Sequence, residues 1–151
     1  MDRFRPFGLL VLLLATTPLG GCGPSPGAVG AGVAAPHRGA LLRLPDNLGY
    51  AEVVAEPTSG SAKNASIELA TYFLTPDAQA ALTPAPTAVT LEVVLAEAKT
   101  RQAVPLTLKP KANDPAGATR FAAIPPPGFD GVITGGKLSA QVAGRAVDIS
   151  F

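Results

Sequence analysis

From residue 39 onward the chain alternates apolar and polar residues with a period of two, and glycine, proline, asparagine or aspartate breaks the alternation at short intervals. A period of two places successive side chains on opposite faces of an extended strand, and a helix of 3.6 residues per turn cannot satisfy it. AVTLEVVLAE at 88–97 is the clearest case, with Val89, Leu91, Val93 and Leu95 on one face and Thr90, Glu92 and Ala96 on the other. The same pattern predicts strands at 40–44, 50–56, 66–74, 104–108, 119–124, 137–143 and 145–151, with Gly144 alone between the last two. Pro105 inside VPLTL predicts an edge or a bulge, because proline has no N–H for the ladder. TPDAQAAL at 75–82 comes nearest to a helix, with Thr75 as N-cap and Pro76 and Asp77 in the first turn. Pro84 and Pro86 limit it to two turns at most.

About eight short strands separated by turn residues predict an all-β chain, an antiparallel β-sandwich of immunoglobulin-like shape. The expected core is Val53, Ile67, Leu69, Phe73, Val89, Leu91, Val93, Leu95, Leu106, Leu108, Phe121, Leu138, Val142, Val147, Ile149 and Phe151.

The first 22 residues follow a different logic. Arg3 and Arg5 precede an apolar run, Phe7 to Ala15, and small residues lead to Cys22, the only cysteine of the chain. Charge, apolar run and small residues in that order describe an export signal, and the run is too short for a spanning helix of ~20 residues. Leu19-Gly20-Gly21-Cys22 resembles the lipobox of bacterial lipoproteins, in which the signal peptidase reads the three residues before the cysteine and the sulfur carries a diacylglycerol. Two or more acyl chains hold a protein stably on a bilayer where one does not. Gly23, rather than aspartate, follows the cysteine and favours the outer membrane if the cell is Gram-negative. The expected division is a signal peptide at 1–21, a lipidated Cys22 with a Gly/Ala/Pro tether through 36, and one β domain at 37–151.

Without residues 1–21 the chain carries ten basic and ten acidic residues. A neutral surface without a run of Lys and Arg provides no electrostatic basis for nucleic-acid binding. With Cys22 lipidated, the domain has no thiol for a disulfide, a metal or nucleophilic catalysis. GVITGGKL at 131–138 fits the start of a phosphate-binding loop, but Leu138 replaces the required Ser or Thr and a strand pattern follows instead of a helix. His37, the single histidine, is the one candidate metal contact, shared with an Asp or Glu; a solvent-exposed imidazole is the plainer expectation. Most of the carboxylates fall on the polar side of strands or in turns, where solvated charges are expected. No catalytic residue and no cofactor are expected.

His37-Arg38-Gly39, Glu52-Val53-Val54, Thr71-Tyr72-Phe73-Leu74 with Asp77, Arg120-Phe121 and Gly136-Lys137-Leu138 together resemble the small lipoproteins of planctomycete-type bacteria across residues 36–151. The resemblance implies a lipobox, a tether and a compact β domain, and it implies no catalytic residues. The expectation is therefore a non-enzymatic envelope lipoprotein, held on the bilayer through Cys22, that binds or supports another envelope protein. A periplasmic small-ligand or metal-handling domain is the alternative.

Overall fold

A computed structural model of the chain describes residues 33–58, 66–95 and 100–151, with the backbone alone at Leu95. The alternating segments become nine strands: β1 (Ala40–Arg43), β2 (Tyr50–Pro57), β3 (Ile67–Leu74), β4 (Thr87–Leu95), β5 (Thr100–Pro105), β6 (Thr107–Leu108), β7 (Arg120–Ala123), β8 (Gly136–Val142) and β9 (Arg145–Ser150). They form a five-stranded sheet, β1-β2-β3-β7-β6, and a four-stranded sheet, β5-β4-β8-β9. Every pairing is antiparallel. With β1 set aside as an added edge strand, the two orders are those of an immunoglobulin-type sandwich.

The expected strand at 104–108 is two strands in different sheets. Val104 pairs with Leu91 in the four-stranded sheet, whereas Thr107 pairs with Ala122 in the five-stranded one. The chain changes sheet at Leu106, beside the proline that ends the edge strand β5, where a missing N–H interrupts no inner ladder. The two residues Ala143 and Gly144, both at positive φ (50° and 77°), join β8 to β9. Positive φ at both central positions makes the turn whose twist matches a two-residue hairpin.

No helix forms at 75–82. Thr75 accepts the Ala80 N–H at its hydroxyl and the Ala78 N–H at its carbonyl, closing a compact turn with Ala78 at φ 55°. Two prolines downstream leave too few residues to repay helix nucleation.

The core between the sheets holds Val53, Leu69, Phe73, Val89, Leu91, Val93, Leu106, Phe121, Leu138, Val142 and Val147 of the expected set, together with Leu42, Leu44, Ala51, Val104 and Ala140. Phe73 and Phe121 meet edge to face at 5.6 Å between ring centroids, a favoured aromatic geometry. Ile149 and Phe151 pack on this core half-buried. Ile67 and Leu108 do not belong to it: they are 37% and 47% exposed. Ile67 begins its strand at the end of the sheet, and Leu108 lies on the two-residue edge strand, so neither has a neighbour on every side. The Leu95 side chain lies outside the described residues.

A second apolar cluster lies on the outer face of the five-stranded sheet. Leu41, Ala70, Tyr72, Leu74, Ala78, Ala116 and Ala122 are buried there, and Val33 and Ala35 pack against them. Non-strand segments supply the cover: 33–39, here termed the strap, 109–119, and the turn at Ala78. Gly39 lets the strap approach β2, since a Cβ there would come within 2.4 Å of the Val53 carbonyl oxygen.

Candidate functional site

Register builds the polar part of this covered face. Glu52 pairs with Tyr72 and Tyr72 with Arg120, so three strands place these side chains in one row; Glu56 and Glu68 pair two steps further along. Pleating gives all five the same face. Over an open sheet they would be solvated, but Glu52 and Tyr72 are wholly buried and Arg120 is 8% exposed. A buried charge is tolerable only when it is paired and hydrogen-bonded.

Glu52 meets that condition through the strap. Its Oε1 accepts the backbone N–H of His37 and of Gly39, both at 2.8 Å. Its Oε2 lies 2.8 Å from His37 Nδ1. On the other side of the ring, His37 Nε2 lies 2.9 Å from Asp114 Oδ2. The imidazole stacks on the Tyr72 ring at 3.7 Å between centroids and 11° between planes. His37 is thus a shielded group between two carboxylates and an aromatic ring, and not the exposed imidazole expected from its place beside the tether.

The rest of the row is an ion-pair network. The Tyr72 hydroxyl donates to Glu56 Oε1 at 2.6 Å, and Lys111 Nζ reaches the same oxygen at 3.5 Å. Arg120 bridges Glu56 at 3.1 Å and Glu68 at 2.8 Å, and Lys109 binds Glu68 at 2.8 Å. Burial alone would raise the Glu56 carboxyl, but the Tyr72 hydroxyl, Lys111 and Arg120 outweigh it and hold the carboxyl below its ordinary range. Hydrogen bonds from Arg120 and Lys109 lower Glu68 as well. Burial, then the bond to Glu56, raises the Tyr72 phenol. The phenol therefore stays protonated, and neighbouring hydrogen bonds and charges shift these groups as they do in any buried network.

Two shallow clefts flank the network. One, of about 430 Å³, lies between the strap and the loops at 77–79 and 114–116, with Val33, Pro36, Ala78 and Ala116 among its walls. The other, of about 360 Å³, runs past Glu56, Glu68, Lys109, Lys111 and Arg120.

His37, the candidate metal contact, is brought into this cluster, and so are Gly39, Glu52, Tyr72 and Arg120 of the segments that carry the resemblance. Cys22 and the preceding Leu19, Gly20 and Gly21 lie outside the described residues. Asp46 pairs with Arg145, and Asp130 accepts the Val132 N–H. The glycine-rich stretch before Lys137 has a packing reason: a Cβ at Gly136 would stand 2.1 Å from the Glu92 carbonyl oxygen across the ladder. Among the described residues no group of three His, Cys, Asp or Glu side chains is placed to hold a metal ion, and no helix is long and apolar enough to cross a membrane. Asp114 carried no signal in the sequence, and nothing there marked Glu52 and Arg120 as members of one site, because each belongs to the cluster only through the segments folded over it. Comparison with protein-family models, curated proteins and solved structures finds no match to this chain.

Proposed function

We propose that the chain is a non-enzymatic lipoprotein of the bacterial cell envelope, a binding or supporting module tethered through acylated Cys22. The observation that supports this reading is the way the N-terminal side of the domain is held. The strap is pinned along the outer face by Glu52 and leaves beside Ala78 and Ala116, near the end of β3 marked by Leu74. The opposite end of the sandwich carries the exposed apolar residues Ile67, Ile124 and Val132. A tether entering at one end leaves the other, with these apolar side chains, free to meet a partner.

Crosslinking of the tagged protein in its own cells, with Cys22→Ala as control, tests the proposal. A defined envelope partner captured by the wild type and lost with the anchor is the expected result. Wild type and Cys22→Ala both soluble after fractionation would overturn the anchor. The metal-handling alternative has in its favour the two carboxylates beside His37, but both ring nitrogens already face them, so a metal would have to displace one. Zinc or copper binding at micromolar metal that disappears in His37→Ala is the outcome that reading requires.

A further inference from the structure

His37 is the one side chain that hydrogen-bonds the strap to the 109–119 segment among the described residues, through Asp114 at 2.9 Å. Its proton count matters. A neutral imidazole has a single N–H, so beside two ionised carboxylates one contact is a hydrogen bond and the other sets lone pair against lone pair. One additional proton in the cluster makes both contacts bonds. The groups facing the ring are Glu52 from β2, Tyr72 from β3 and Asp114 from the 109–119 segment. Glu56 and Lys111 line a surface hollow with it, and Arg38 is its chain neighbour.

The two carboxylates are not equally committed. Glu52 is wholly buried and also holds two backbone N–H groups of the strap. Asp114 is 14% exposed at its side chain and holds, besides the imidazole, only the Ala116 N–H at 3.0 Å among the described residues. Water can replace the imidazole at Asp114 but not at Glu52.

We propose that His37 is a proton-operated clasp: with the extra proton held among His37, Glu52 and Asp114, the strap and the 109–119 segment are closed on each other, and loss of that proton frees Asp114 and opens the cleft between them. The ring stays on Glu52 and Tyr72 in both states, so the strap remains docked while its contact with the neighbouring segment is made or broken. Because a hydrogen bond to a charged group is at stake, the closing equilibrium changes about tenfold.

The test uses the full chain in detergent. His37 is the only histidine, so its ring resonances need no assignment by mutagenesis, and they are followed alongside hydrogen exchange from about pH 5 to pH 9, which brackets the range where histidines exchange their proton. Exchange rates are divided by the intrinsic rate at each pH. The expected result is a loss of about tenfold in the protection of amides in 109–119 as pH rises, with the same midpoint as the ring resonances. Asp114→Asn keeps its Oδ1 on the Ala116 N–H and turns its amide N–H toward Nε2, which bonds a neutral imidazole and opposes a protonated one, so its protection does not fall as pH rises. Protection in the wild type that does not change with pH, a ring that does not titrate in this range, or an unchanged pH dependence in Asp114→Asn each overturns the clasp.

Discussion

The two outer faces of the sandwich are made from strands with the same alternation, and they have opposite fates. On the four-stranded sheet, Glu92 faces Arg101 and Lys137 faces Asp148, in pairs whose cationic partners are 66% and 39% exposed. On the five-stranded sheet, Glu52, Tyr72 and Arg120 occupy equivalent outward positions and are buried. Strand chemistry does not separate the two faces. What separates them is that the strap and the 109–119 segment cross one face and leave the other to water. An outward polar residue is therefore a surface charge or a structural anchor according to what is folded over it.

The largest test of this contrast is Glu52→Ala. It removes the acceptor of two backbone N–H groups and of the His37 ring, and a cost of about 3–5 kcal/mol is expected in urea unfolding, with faster exchange at 37–39. A loss below about 1 kcal/mol, the range of exposed ion pairs, would erase the distinction between the faces. Next is Arg120→Met, which keeps the apolar stem but leaves Glu56 and Glu68 without their shared partner; about 2–3 kcal/mol is expected.

Acid sharpens the comparison further. Glu56 and Glu68 have folded pKa values below their unfolded ones. Their contribution is therefore complete above the unfolded value of about 4.3 and is lost as pH falls through the lowered folded values. The urea midpoint should fall as the solution is acidified below about pH 4, and the double variant Glu56→Gln/Glu68→Gln should fall less steeply. The smallest effect belongs to the open face: Arg101→Ala should change stability by no more than about 0.5 kcal/mol. A larger loss there would mean that the four-stranded face is also covered.

Alternation and turn residues reveal the layers because they act locally. Each strand from AVTLEVVLAE to RAVDISF has its period and its breakers within ten residues, and the inner core follows from the apolar phase. Two errors in the core, Ile67 and Leu108, have the right phase but lie where the sheet ends, and the end of a sheet is a tertiary fact. The cluster at His37 was illegible for a related reason. Glu52 and Asp114 are 62 positions apart in the sequence, and nothing near either tells that a strap will lie between them. The break at Leu106 could be suspected from Pro105, but a proline that ends a strand does not say into which sheet the chain then turns.

That single-residue crossing gives the molecule a mechanical asymmetry. Pro105 to Thr107 spans at most about 7 Å of backbone, less than the ~10 Å that separates packed sheets face to face, so the layers are drawn together along this side like pages at a spine. On the opposite side the edges are β1 and β9, and an ion pair between Asp46, in the turn after β1, and Arg145 of β9, exposed at 63% and 68%, spans them. Thermal breathing of the sandwich should therefore swing from the spine: the fore-edge at β1 and β9 parts first, while the interior beside Leu106 stays dry until the whole fold is lost.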